Sequence, residues 1–271
     1  MNNRDIIRQS RILDKLDRHT LNIYDTTCRW LPKGIFLWVE TKGTGHTFIS
    51  VHTEKGINVF TYGRYADTGP LGITGDGVLI WLQDNEAIEY MSTELYRMEA
   101  QVYNIRDADI FAIMGYFKSL WHTGKKIGGT SVSESTQKFG KIIDIYDVTG
   151  VSCTTHSVKA LNYAGSSVFK RQNIFSVNYT EDFTIPYSLR IYMNDIDTLK
   201  KSMIITDVTW SFRQQMRNTK GLVPLDGVGK EQVALGVSAK SSGTLVGTQS
   251  SGYGGATFGG SSGWNYSPKE E

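Results

Sequence analysis

Only two cysteines, Cys28 and Cys153, occur in the 271 residues. They allow one bridge at most, which excludes a disulfide framework and a cysteine-rich zinc site. Charge of one sign is also lacking: 29 Lys and Arg stand against 27 Asp and Glu, interspersed along the chain. Without a basic stripe there is no phosphate-backbone footprint, and nucleic acid is not expected as a partner. No apolar run approaches the roughly 20 residues of a spanning helix; even Gly34 to Val39 is ended by Glu40 and Lys42. The opening residues, MNNRDIIRQSRILDKLDRHTLNIY, carry charge throughout and lack the apolar core of a secretory signal. A soluble product made without a cleaved leader is therefore expected. Neither a GxxxxGKS/T loop nor an HExxH pair is present, which sets aside P-loop nucleotide binding and the common metalloprotease chemistry. No cofactor and no metal are expected.

What is present divides the chain into three parts. Residues 1–33 hold an amphipathic segment, Asp5 to Leu21, in which Ile6, Ile7, Ile12, Leu13 and Leu16 recur at near-helical spacing. From Gly34 the pattern changes to short β-rich runs, GIFLWVET, HTFISVHT and INVFTYG, separated by KGTG and EKG turns. These predict a three-stranded antiparallel meander. Further strands are expected at Val78–Leu82 and Tyr96–Ile105, with an undecided segment between them. Asp107 to Trp121 places Ile110, Ile113, Met114, Phe117 and Leu120 on one face, with acidic residues at its start, and predicts a helix. A Gly, Ser and Thr-rich loop follows from Gly124 to Thr136. WSFRQQMR, from Trp210, fits strand or helix. Residues 34–226 thus read as one α+β domain, and residues 227–271, rich in Gly and Ser with scattered aromatics, as a flexible tail.

The most informative stretch is KIIDIYDVTGVSCTTHSVKALNYAG, a strand, a turn and a second helix. Ser152 is placed to cap that helix and Gly165 to end it, with Val158, Leu161 and Ala164 on the buried side. Cys153 then falls in the first turn, where unpaired N–H groups and the positive end of the helix dipole favour a thiolate. By composition alone a free cysteine is more often a small core residue than a nucleophile. The SCTT neighbours and a histidine at a strand start behind a Gly-rich turn, GTGH, point instead to a cysteine-histidine hydrolase site with His46 as base. His156, three residues beyond Cys153 on the same helix face, ranks second. His52 shares a face with His46 at the far end of its strand, and His19 and His122 have no supporting context.

The order GTGHTFISV, then INVFTYG, then VSCTTHSVKALNYAG resembles the circularly permuted branch of the NlpC-like papain superfamily, which includes relatives of lecithin:retinol acyltransferase. In that branch histidine precedes cysteine, as here. The resemblance spans Gly34 to Asn194 if Pro186-Tyr187-Ser188-Leu189 is the short segment that follows the cysteine helix. It implies an antiparallel sheet carrying His46, packed against the helix carrying Cys153. Cys153 would be the nucleophile and His46 the general base, with a polar residue of the next strand orienting the imidazole: Asn58, Thr61 or Tyr62. The implied reaction is acyl transfer through a thioester, on phospholipid or, alternatively, on cell-wall peptides. Leu71, Ile73, Ile80, Trp81 and Leu82 would form an apolar lip for a lipid chain, or else a buried strand. The resemblance further implies an antibacterial toxin made in the bacterial cytoplasm and delivered to a target-cell envelope by a type VI secretion machine. A secretion-machine component and a cognate immunity protein would be its partners. A non-enzymatic binding protein on the same fold is the remaining alternative.

Overall fold

The computed structural model describes residues 31–42, 45–66, 74–128, 133–147, 152–172, 178–180, 183, 186–198 and 203–225. The predicted Asp5–Leu21 helix, His19, Cys28, Leu71, Ile73 and the tail from residue 227 lie outside them.

The three β-rich runs form the expected meander: β1 (Gly34–Glu40), β2 (His46–Thr53) and β3 (Gly56–Ala66) pair antiparallel in sequence order. The turn between β2 and β3 is closed by Thr53↔Gly56. Gly56 has φ +133°, and a Cβ there would stand 2.4 Å from Asp84 Oδ1. That oxygen instead accepts the Ile57 amide at 3.0 Å and ties the hairpin to the next corner.

β4 (Thr74–Gln83) runs beyond the predicted Val78–Leu82 on both sides. It passes directly into α1 (Asp84–Tyr96), which resolves the undecided segment as helix and moves the start of β5 (Gln101–Ile105) past Tyr96. Ala87, Tyr90, Met91, Glu94 and Leu95 form its buried stripe. The helix α2 (Ile110–Thr123) begins after Asp109, whose carboxylate accepts the Ala112 amide at 2.7 Å. Asp107 lies before the helix and accepts from Ser166 and Ser167 instead. A short α3 (Glu134–Phe139) begins inside the predicted loop and runs into β6 (Gly140–Asp147). Then come α4 (Cys153–Tyr163), a two-stranded ribbon of β7 (Lys170–Gln172) and β8 (Asn178–Thr180), α5 (Pro186–Thr198), β9 (Ile205–Asp207) and α6 (Thr209–Gln215). WSFRQQMR is therefore mostly helix.

The architecture is α+β: one antiparallel sheet of order β6-β4-β3-β2-β1-β5-β9 with helices on both faces. Strand alternation sorts the core into two layers. Leu37, Val39, Ile49, Val51, Phe60, Tyr62 and Leu79 face α2, α4 and α5. Phe36, Trp38, Phe48, Val59, Ile80 and Leu82 face α1 and α6. Ile80 and Leu82 are core residues of a strand flanked by β3 and β6 and covered on both faces, the buried-strand alternative for VLIWL, and form no apolar lip. Among the described residues, no helix is long and apolar enough to cross a membrane.

Candidate functional site

The N-terminus of α4 forms as its residues dictate. Ser152 is extended (φ −122°, ψ 175°) and its Oγ accepts from the Thr155 amide at 3.3 Å, an N-cap in which a short hydroxyl replaces a missing helical partner. Cys153 follows as the first helical residue and is only 3% exposed. Its sulfur lies 3.9 Å from the Thr154 hydroxyl, and the backbone amides of Thr47, Thr154 and Cys153 itself act to lower the thiol's proton affinity. The register of β2 with β3 ends at Phe48↔Thr61, so Thr47 is the first residue past the last paired rung. Burial raises the thiol above its ordinary pKa, and the amides and the Thr154 hydroxyl only partly offset that. At neutral pH the site therefore holds a thiol, with donors already arranged for a thiolate.

His46 opens β2 and is partly exposed. Its Nε2 lies 2.6 Å from Thr61 Oγ1, which is 3.2 Å from the Tyr90 hydroxyl of α1, and its ring stacks over Phe48. Burial disfavours the imidazolium and lowers the pKa to about 4, so the ring is neutral at pH 7 and a weaker base than an ordinary imidazole. Helix α4, however, covers the Thr47 and Ile49 face of the sheet, whereas His46 points to the face of α1. The expectation that His46 faces the cysteine helix across the interface is corrected. His46 and Cys153 lie on opposite faces of the sheet, and the link between their neighbours is the 3.3 Å contact of the Thr47 and Thr154 hydroxyls.

The three candidates for orienting His46 are separated by the same alternation. Thr61 shares its face and bonds it. Asn58 pairs with Val51 on the opposite face, far along β2, and its Oδ1 accepts from Trp81 Nε1 at 2.9 Å. Asn58 does not orient His46. Tyr62 is also on the opposite face; its hydroxyl donates to Asp144 Oδ1 at 2.5 Å and its ring lies 4.2 Å from that of His156. Tyr62 does not orient His46 either, and it belongs to the surroundings of α4.

Two arrangements escaped the sequence reading. Glu40 is the cross-strand partner of His46, and its buried carboxyl hydrogen-bonds that of Glu94 on α1. Burial, then the neighbouring Glu94 charge, pushes Glu40 well up; burial lifts Glu94 to about 7 against the Glu40 hydrogen bond and the charge of Arg97. The pair shares a proton because two adjacent carboxylates cannot both ionise in the core. An acidic residue ending the apolar run GIFLWVE was the one visible signal. The second arrangement is His156, whose Nε2 lies 2.8 Å from Asp144 Oδ2. Among the described residues, no three His, Cys, Asp or Glu side chains converge to hold a metal ion.

No family model, curated protein or solved structure matches the chain.

The arrangement is a buried thiol at the start of a helix, a neutral imidazole held through Nε2 by Thr61, and a buried carboxyl pair beside it. Such a set suits nucleophilic acyl chemistry, since the thiolate and the oxyanion it creates both need fixed N–H donors.

Proposed function

We propose that the protein is a thiol-dependent acyl hydrolase, built as a permuted NlpC-like, papain-like domain and acting on bacterial envelope lipid. The observation that supports this reading is the 3.3 Å contact between the Thr47 and Thr154 hydroxyls, which sets the residue after His46 against the residue after Cys153. With Nε2 held by Thr61, the Nδ1 lone pair of His46 is the basic position. The chemistry requires the Cys153 proton to pass to His46 around the end of the β2–β3 ladder as Sγ bonds the acyl carbon and the carbonyl electrons move onto oxygen. Collapse restores the carbonyl and expels the alkoxide, which takes the proton from His46. Water then hydrolyses the thioester, giving free acid and thiol. A resting pair of neutral thiol and neutral imidazole favours an ester, whose leaving group asks less of the acid step than an amine does. Delivery to a target-cell envelope and neutralisation by an immunity protein belong to the same proposal.

A second reading, a binding protein with a core thiol, is favoured by the burial of Cys153. Wild type and Cys153→Ala, offered phospholipid vesicles and purified sacculi in parallel, separate the possibilities. Fatty acid released only by wild type is expected. Soluble muropeptides from sacculi in its place would move the activity to the cell wall, and identical results for both proteins on both substrates would leave the binding reading.

A further inference from the structure

The charges of the whole chain nearly balance, but one segment departs from that balance. Residues 110–141, from α2 through α3 to the start of β6, hold Lys118, Lys125, Lys126, Lys138 and Lys141 against the single carboxylate of Glu134. Among the described residues, none of these lysines is ion-paired. Three lie over aromatic rings instead: Lys118 over Trp81 at 4.9 Å, Lys141 over Trp121 at 5.1 Å and Lys138 over Phe139 at 4.7 Å. Trp121 draws them together, since its ring meets that of Trp81 edge-on at 5.4 Å and its Nε1 donates to the Phe139 carbonyl at 2.7 Å. Lys125 joins the same place through its backbone bridge to Ile142 of β6, the edge strand of the sheet.

Helix α2 supplies an apolar surface beside the lysines. Its opening IFAIMGYF carries no charge, yet only Ile113 and Phe117 of the whole helix are buried. Phe111 is 84% exposed, and a Cβ at Gly115 would meet nothing within 4 Å. Tyr163, exposed at the end of α4, lies 5.4 Å ring to ring from Tyr116 and extends the surface. The acid nearest in sequence, Asp109, is taken by the Ala112 amide. A helix with apolar residues on nearly every side belongs in a core or against lipid. Exposed apolar side chains flanked by unpaired lysines and indole rings suit the headgroup layer of a bilayer. A nucleic acid would engage the lysines and leave Phe111 in water.

We propose that this surface, Phe111 and Trp121 with Lys118, Lys125, Lys138 and Lys141, docks the protein on a bilayer of anionic phospholipid. Phe111 enters the boundary of the acyl chains while the lysines meet the phosphates, each ammonium raising affinity by about fivefold near a negative surface. Helix α2 packs on α4, so docking brings the helix of Cys153 to the lipid. To that extent the proposal rests on the envelope-lipid reading above, although the binding itself needs no thiol.

Sedimentation with vesicles tests it on the full chain carrying Cys153→Ala, which leaves the lipid intact. Vesicles of equal parts phosphatidylglycerol and phosphatidylcholine should bind about tenfold or more tighter than vesicles of phosphatidylcholine alone. Lys118→Glu with Lys141→Glu should remove about tenfold or more of that binding, and Phe111→Ser about threefold or more. Arg106→Glu with Arg217→Glu makes the same change of charge at exposed residues beyond β5 and α6, and should cost less than about threefold. Circular dichroism melts identify the folded variants. Equal losses in the two double variants, equal binding to both kinds of vesicle, or binding to neither overturns the proposal. So does a wild-type dimer, without vesicle binding, that Phe111→Ser dissociates; it would give the face to a second copy. Fatty acid release is read separately on the wild type. Sedimentation without cysteine-dependent product leaves the docking surface and removes the acyl-hydrolase reading, while product without sedimentation removes the docking surface alone.

Discussion

Thr61 Oγ1 sits 2.6 Å from His46 Nε2 and 3.2 Å from the Tyr90 hydroxyl, so one side chain of a central strand joins the candidate base to helix α1. A threonine hydroxyl can accept and donate at once, which lets it fix the imidazole while remaining satisfied itself.

Replacing it by a near-isosteric apolar residue separates the two roles. Thr61→Val keeps shape but leaves His46 Nε2 without its partner in a half-buried site. A loss of about 1–3 kcal/mol in stability is expected, with a fall of about tenfold or more in fatty acid release. Thr61→Ser should recover most of both. Urea denaturation and vesicle turnover measured on the same samples check this; unchanged turnover in Thr61→Val would remove His46 from the chemistry.

The buried carboxyl pair predicts how stability varies with pH. Glu40 and Glu94 hold protons more tightly folded than unfolded, so their contribution is present below the unfolded value of 4.5 and declines as pH rises through about 7, where Glu94 ionises. His46 acts with the opposite sign. Lowered to about 4, it adds stability that is full above the ordinary 6.5 and is lost as pH falls through 6.5 toward 4. Glu94→Gln should therefore flatten the loss between pH 5 and 8 by on the order of 1–3 kcal/mol. Melting temperatures of wild type and variant across that range give the comparison, and parallel curves would contradict the shared proton.

Two glycines should respond oppositely to alanine. Gly77→Ala drives a methyl group into Tyr62 and Asp144 and should cost about 1–3 kcal/mol or more. Gly115, inside α2, has nothing within 4 Å of the added Cβ. Gly115→Ala should stabilise by about 0.5–1 kcal/mol, because alanine loses less backbone freedom in a helix. Chemical denaturation of both variants reads the difference in sign.

Ser152 offers a milder probe of the cysteine helix. Ser152→Ala removes the N-cap acceptor for the Thr155 amide and should cost about 0.5–2 kcal/mol. Ser152→Thr, which keeps a hydroxyl acceptor in the same buried place, should return most of the melting temperature by differential scanning calorimetry. Equal losses in both would show that the cap plays no part.

Local pattern carried much of this protein's organisation. Period-two alternation in HTFISVHT and INVFTYG states that His46 and Phe48 share one face and that Thr47 and Ile49 share the other, and the SC pair at a strand-to-helix turn marks a capped helix with the cysteine first. Those features are set by neighbours in sequence, through backbone geometry and hydrogen bonds that reach only a few residues. Which face α4 covers is decided by packing between segments about a hundred residues apart. That one choice put His46 on the α1 side, selected Thr61 over Asn58 and Tyr62, and handed Tyr62 to Asp144 and His156. The Glu40–Glu94 pair and the Thr47 amide at Cys153 likewise depend on long-range contacts, where burial changes the proton affinity of groups whose identity alone says nothing of it.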